Sequence, residues 1–324
     1  MRLLVTGAGG FVGGHLVEQV RREAPATSLH GVVLPHGSLA WSTAQGARVV
    51  EADLDDPAAA AAVIDEVRPD AIVHLAGQSS VHQSWLDPGG TLRTNVLGIV
   101  HLLDAARRAG LAPAVLVVGS AEEYGPVAEA ELPIRETAPL RPASPYAVSK
   151  VAQGALALLY GPAGGMRVVL TRTFHHTGPG RGEAFAESSF ARQIAEIEAG
   201  LRPPVIEVGN LDAVRDFSDV RDVVRAYLLL LERGEPGQAY NVCSGRGRSI
   251  REILDLLLAR STARVEVRLD RDRLRPADVP SQVGDPSRLR AATGWEPEIP
   301  LEQTLADLLA DWRARVKGAA PRTP

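Results

Sequence analysis

The chain has 324 residues, 45% of them hydrophobic and 23% charged, which allows one large α/β domain with a smaller appendage, or two domains, around a sizeable core. A net charge of -4 gives no basis for a nucleic-acid or anionic-membrane partner, and a single cysteine, Cys243, excludes an intramolecular disulfide and a cysteine-only metal cluster. The eight histidines show no metal-ligand spacing and no apolar run reaches ~18 residues, so neither a metal centre nor a membrane span is expected.

Met1-Arg2-Leu3 enters a strand at once, leaving no room for a signal peptide, and a cytoplasmic protein is expected. Arg2 to Thr6 reads as a buried parallel strand, followed by Gly7-Ala8-Gly9-Gly10-Phe11-Val12-Gly13 and an amphipathic stretch through Arg22. Glycines at 7, 10 and 13 permit a tight turn, close backbone approach and helix-against-strand packing, and the helix N-terminus offers free N–H groups to a pyrophosphate. A dinucleotide site is expected there. The second strand, Leu29 to Leu34, ends without the carboxylate that would bond a ribose 2′-hydroxyl; His36 and Ser38 could serve a 2′-phosphate, though no arginine is present. The cofactor is therefore NADP(H) or NAD(H), with the balance tipped towards NADP.

A third strand, Val49 to Leu54, places Asp53 either against an adenine amine or in solvent. A helix over Ala58 to Val67, a strand over Ala71 to Gln78, a helix over Pro88 to Ala109 and a strand over Ala114 to Val118 keep the alternation unbroken. Such a chain builds a doubly wound parallel sheet, with ligands at the carboxyl ends of its strands. Those ends carry Gly7 to Gly13, Asp53, Ala76 to Ser80 and Ser120 to Tyr124.

Ser144-Pro145-Tyr146-Ala147-Val148-Ser149-Lys150 comes next. Ser144 suits a helix cap and Pro145 a first turn, which makes Tyr146 and Lys150 an i, i+4 pair on one face. A phenol titrates near ~10, and an ammonium a few ångströms away favours phenolate, so Lys150 is expected to draw Tyr146 towards acid-base chemistry. The same spacing arises in helices where the tyrosine merely packs and the lysine is solvated. The helix is expected to end near Gly161-Pro162, before a sixth strand over Arg167 to Thr171. Beyond about residue 180 the alternation fades, leaving helices over Glu187 to Ala199, Val220 to Arg233, Ile250 to Ala259 and Leu301 to Arg315. Two expected loops, Gly209 to Phe217 and Arg271 to Asp278, carry arginines that suit phosphate oxygens or are simply solvated. Residues 1–171 are expected to form the dinucleotide-binding domain and 172–316 a smaller C-terminal α/β substrate-binding region with segments returning to the first; 317–324 are expected to be a disordered tail.

Thr6 to Gly13, His74-Leu75-Ala76, Thr94-Asn95-Val96, Ser120 with Tyr124-Gly125, and Tyr146-x-x-x-Lys150 together resemble the extended short-chain dehydrogenase/reductase family, from residue 1 to about 315. Within it, Ser79-Ser80-Val81 with Ser84-Trp85, the run Gly119 to Gly125, His176 to Gly180, Gly209-Asn210-Leu211 and Arg275 to Pro280 are similar to enzymes acting on GDP-linked 6-deoxyhexoses. The resemblance implies a Rossmann fold, a homodimer built from the helices at 88–109 and 144–160, and NAD(P)H-dependent reduction of the 4-keto group of a GDP-4-keto-6-deoxyhexose. The alternative it leaves is 4,6-elimination from GDP-mannose, or another nucleotide-sugar dehydratase or epimerase reaction.

Roles follow from the same resemblance. Tyr146 would protonate the developing alkoxide while Ser120 donates a hydrogen bond to it, Lys150 would hold the nicotinamide ribose, and Glu122 stands where dehydratases keep their glutamate. The cofactor would lie along Gly7, Gly10, Phe11, Val12 and Gly13, then Asp53 and Leu54, then Leu75, Ala76 and Gln78, reaching Tyr146, Lys150 and His176. Arg215 and Arg275 would clamp the diphosphate, with Ser80, Ser120, Glu122, His175 and Arg181 also facing substrate. Two departures stand out: His175 replaces a common asparagine, and Ala121 replaces the acid or serine of dehydratases, which argues against elimination.

Overall fold

The computed structural model describes residues 1–35, 46–273 and 279–319. Its centre is a seven-stranded parallel sheet built from β1 (Arg2–Thr6), β2 (Ser28–Val33), β3 (Arg48–Glu51), β4 (Ala71–His74), β5 (Ala114–Ser120), β6 (Arg167–Thr173) and β10 (Ala239–Val242). The order is β10-β6-β5-β4-β1-β2-β3, every neighbour parallel. The inner strands are apolar runs without alternation because helices cover both faces. On one face α1 (Phe11–Glu23) and α8 (Val220–Arg233) pack Leu16, Val20, Val223 and Tyr227 against the sheet. On the other, α2 (Pro57–Val67), α5 (Gly98–Arg108) and α6 (Pro145–Gly164) bury Ile64, Ile99, Leu102 and Ala157. The doubly wound class expected from the alternation is the class observed.

Helix α6 forms as its first residues dictate. The Ser144 hydroxyl accepts the Ala147 N–H at 3.1 Å, Pro145 fills the first turn, and Gly165 at φ +65° ends it, three residues beyond the expected Gly161-Pro162 stop. The segment expected as one helix over Pro88 to Ala109 is interrupted. It runs as α4 (Pro88–Leu92), a π-helical turn over Arg93–Leu97, and α5, following the short α3 (Val81–Leu86).

A second, smaller assembly carries strands β7 (His175–Thr177), β9 (Val214–Asp219), β11 (Gly247–Ser249) and β13 (Ser281–Gln282), with β9 pairing all three others. Strands β8 (Val205–Val208) and β12 (Glu266–Leu269) form a parallel pair beside it. Helices α7 (Ala186–Glu198), α9 (Ile250–Leu258) and α11 (Leu301–Ala319) enclose a separate core of Phe190, Ile194, Ile253, Leu254, Leu305 and Leu308; α10 (Ser287–Thr293) packs on α8. Residues 317–319 of the expected tail continue α11, and 320–324 lie outside the described residues. The loop expected over Gly209 to Phe217 is half strand, because β9 has hydrogen-bonding partners on both edges. Among the described residues no helix is long and apolar enough to cross a membrane.

Candidate active site

The turn after β1 is shaped by close backbone approach. Gly7 adopts φ +70°, and a Cβ there would lie 2.9 Å from the Ala76 nitrogen; a Cβ on Gly13 would lie 2.3 Å from the Gly7 carbonyl oxygen. Gly10 caps α1 without a side-chain hydrogen bond, so the helix opens on backbone N–H groups with Phe11 and Val12 half-buried at its mouth. Thr6 secures the next loop: its Oγ1 accepts the Ala76 N–H at 3.1 Å, while Leu75 N–H bonds the Thr6 carbonyl at 3.2 Å. Asp53 is exposed beyond β3, with its Oδ1 accepting the Asp55 N–H, and Leu54 is buried with its carbonyl 2.9 Å from His101 Nδ1. The turn and these strand ends fit a dinucleotide: they offer a side-chain-free cradle with a helix dipole behind it. His36 and Ser38 lie outside the described residues.

Gln78 reaches the same edge through Asn95. The Asn95 Oδ1 accepts the Gln78 N–H at 2.7 Å, and its Nδ2 donates to the Gln78 carbonyl at 3.0 Å and to Ser149 Oγ at 2.8 Å. Ser149 donates onward to the Tyr146 carbonyl at 2.6 Å. This fully buried asparagine sits in the π-helical turn, and it locks the strand-β4 loop to the tyrosine helix. Ser80 caps α3 by accepting the Gln83 N–H at 3.1 Å.

Tyr146 and Lys150 are both buried on α6. Burial pushes the Tyr146 phenol up to about 12, opposed chiefly by a hydrogen bond with Ser120; the Glu122 and Glu123 carboxylates push it the same way as burial, and Arg181 acts against it. Burial pushes the Lys150 ammonium down to about 8, with Glu123 holding it up in part. The expected lowering of the phenol by Lys150 is therefore overturned. The ammonium donates to the Val118 carbonyl at 3.0 Å and to Gln153 Oε1 at 2.9 Å, and the low dielectric penalises phenolate more than the remaining charges repay. Lys150 stands beside the loop after β4: a Cβ on Gly77 would come 3.7 Å from its Nζ.

Beyond β7, Arg181 stands over the Phe11 ring at 4.9 Å and the Phe185 ring at 3.4 Å, with its Nε 3.7 Å from buried Glu187. His176 stacks parallel to Phe11 at 6.1 Å, and burial pushes its imidazole down to about 4, so Nδ1 carries the proton it donates to the Phe174 carbonyl. His175 points the other way along β7, edge-on to Phe217. It helps to line a cavity of about 360 Å³ with Phe185, Glu207, Arg215, Phe217 and Arg273. Arg215 is buried on β9, where its Nη1 donates to the carbonyls of Val214 and Val279. Arg275 lies outside the described residues.

Sequence reasoning assigned no role to Glu123 and Arg172. Glu123 is buried, accepts the Ser120 N–H at 2.8 Å, and pairs with Arg172 at 3.1 Å, so it holds Ser120 by its backbone. Ser120-x-x-Glu123 is a capping-box pattern, and that signal was present in the sequence. Asn95 belonged to a quoted motif, but its bonds appear only once the π-helical turn is in place.

Comparison with known proteins gives matches that run nearly the length of the chain. A family model described as GDP-mannose 4,6 dehydratase matches residues 4–308. The chain is 42% identical over 316 residues to GDP-6-deoxy-D-mannose reductase of Pseudomonas aeruginosa, covering 98% of both, and 30% identical over 289 residues to a GDP-mannose 4,6-dehydratase of Yersinia enterocolitica, covering 80% and 77%. Among solved structures it resembles RMD from Pseudomonas aeruginosa complexed with NADPH, at 41% identity and a TM-score of 0.84 over 97% of this chain and 99% of that one. It also resembles Thermus thermophilus UDP-glucose 4-epimerase in complex with NAD, at 30% identity and a TM-score of 0.85 over 97% and 99%. With its glycine turn after the first strand, a family model over residues 4–308 and a match that runs nearly end to end, the chain belongs to the GDP-mannose 4,6-dehydratase family within the extended short-chain dehydrogenase/reductases.

Proposed function

We propose that the protein reduces the 4-keto group of a GDP-4-keto-6-deoxyhexose, forming GDP-6-deoxy-D-mannose (GDP-D-rhamnose), at the expense of a reduced nicotinamide dinucleotide. The buried Tyr146 phenol, whose proton is held in place by burial, suits the acid that such a reduction needs. Reduction needs that protonated form. Elimination starts by oxidising C4 and needs a group that accepts the hydroxyl proton. The observation that carries this reading is the 42% identity, over 98% of both chains, to a GDP-6-deoxy-D-mannose reductase, and Ala121 where dehydratases keep an acid or serine supports the same choice.

The reduced nicotinamide supplies the hydride when bound. Gly7, Gly10, Phe11, Val12 and Gly13 hold its pyrophosphate, Asp53 and Leu54 border the adenosine, and Leu75, Ala76 and Gln78 line the way to Lys150, which bonds the nicotinamide ribose. NADP(H) is the favoured form, supported by the NADPH complex of the similar structure. Ser120 donates to the substrate carbonyl oxygen, and Tyr146 delivers the proton as charge develops there. Glu122 orients the sugar beside them, His175, Arg181 and Ser80 shape its pocket, and Arg215 and Arg275 take the diphosphate. Residues 1–171 form the cofactor half and 172–316 the substrate half, with β10 returning to the first sheet. Two copies pair through α4, α5 and α6, a reading supported by exposed Trp85, Leu92 and Val148 around an apolar hollow. The enzyme works in the cytoplasm, where such substrates and reduced dinucleotides are kept.

Mixing the protein with GDP-4-keto-6-deoxymannose and NADPH should consume the absorbance of the reduced nicotinamide. No consumption with either NADPH or NADH would overturn the proposal. Release of a 4-keto product from GDP-mannose without added reductant would replace it with the dehydratase reading.

A further inference from the structure

Asp216 follows Arg215 on β9 and has no part in the chemistry above. It is fully buried, and its carboxylate accepts four hydrogen bonds: Oδ1 from the Ser244 N–H at 2.8 Å and the Ser244 hydroxyl at 2.6 Å, Oδ2 from the Gly245 N–H at 2.9 Å and the Gly284 N–H at 3.2 Å. These donors sit on two separate segments, the turn after β10 and the chain just past β13. Desolvation pushes the carboxyl up to about 6 against those four bonds, so it is ionised at neutral pH.

The segment it grips, residues 279–284, touches both halves of the site. The Val279 carbonyl accepts from Arg215 Nη1 at 2.7 Å, and Gln282 lies opposite Arg215 in the β9–β13 register. Gln282 Nε2 donates to the Ala121 carbonyl at 3.0 Å, in the turn that carries Ser120 and Glu122. The path has no slack, since a Cβ on Gly284 would meet Cys243 Sγ at 2.6 Å and the Phe174 ring at 2.7 Å.

We propose that Asp216 is a positioning residue for the nucleotide-sugar cavity: it fixes residues 279–284 behind Arg215 and thereby sets where that guanidinium meets the diphosphate. The inference rests on reading the 360 Å³ cavity as the nucleotide-sugar site. An ionised carboxylate suits the task because it is acceptor-only, and four donors converge on it. An asparagine has one acceptor oxygen in place of two: its amide hydrogens would face either the Ser244 N–H or the Gly245 and Gly284 N–H groups, so at least one of these backbone donors loses its acceptor and the grip loosens.

The test measures kcat and both KM values for wild type, Asp216→Asn, Ser244→Ala and Arg215→Ala. Asp216→Asn should raise KM for the nucleotide sugar about tenfold while kcat and KM for NADPH stay within about twofold. Ser244→Ala, which removes one of the four donors, should move the same KM in the same direction by about two- to threefold, and it carries the test if Asp216→Asn does not fold. Unchanged KM for the nucleotide sugar in the folded variants, with only the active fraction reduced, would make Asp216 a structural residue and overturn the proposal. An Arg215→Ala variant with wild-type KM would instead overturn the reading of the cavity, whereas a raised KM there with no effect from Asp216 or Ser244 would sink the positioning role alone.

Discussion

Tyr146 is where opposing effects on one proton are balanced. Burial raises the phenol and the Ser120 bond lowers it, and burial wins. For a reductase this keeps the acid charged with its proton. Tyr146→Phe removes the proton and little volume, so kcat should fall by about 10²- to 10⁴-fold with NADPH affinity retained, as read by stopped assays alongside a fluorescence titration of the cofactor. Lys150 supplies the pH dependence. Its ammonium is pushed down to about 8, so KM for NADPH should be flat in acid and climb as pH rises through that value, while kcat keeps its phenol proton. Initial rates from about pH 6 to about pH 10 check both limbs, and a kcat that falls instead with KM constant would contradict the assignment. These residues were legible as types at spacings, because an i, i+4 pair is fixed by helix geometry. What acts on each proton was not legible, since Arg181, Glu122 and Glu123 reach the phenol from other elements.

The glycine turn and the tyrosine helix carry their instructions locally. At Gly13 a methyl would lie 2.3 Å from the Gly7 carbonyl oxygen and 2.7 Å from the Ala8 Cα, both of them backbone atoms that cannot swing aside. Gly13→Ala should therefore cost about 1–3 kcal/mol, seen as a lower midpoint in thermal or urea unfolding, and should weaken NADPH binding as the turn opens. A variant as stable and as tight as wild type would show that α1 is not held this closely to β1. Elements beyond residue 180 depended on partners instead. Arg215 looked like a loop arginine because Val214 to Asp219 lacks the alternation of a half-exposed strand, yet β7, β11 and β13 flank it and nearly every side chain is buried. Its Nη1 donates to the neighbouring Val214 carbonyl and to that of Val279, 64 residues further on, a contact no local pattern encodes.

For the whole molecule, the exposed apolar residues on α3, α4 and α6 are the feature the monomer leaves unfinished. Trp85 is 64% exposed and Val148 45%, beside a hollow edged by Pro142 and Pro145. If two copies pair there, Val148→Glu should convert a dimer to a monomer in sedimentation velocity while the fold, followed by circular dichroism, is kept; a wild-type protein that sediments as a monomer would refute the pairing. The amino-acid sequence by itself determined the strand–helix alternation behind the parallel sheet, the glycine turn, the N-cap of the tyrosine helix and the i, i+4 spacing of Tyr146 and Lys150, because each is written in residues a few positions apart. Only the tertiary structure decided that Lys150 turns to Val118, that Asn95 ties Gln78 to Ser149 while Glu123 holds the Ser120 backbone, and that Asp216 gathers two distant segments. Burial and long-range hydrogen bonds set those outcomes, and they exist only after strands far apart in the chain have been laid side by side.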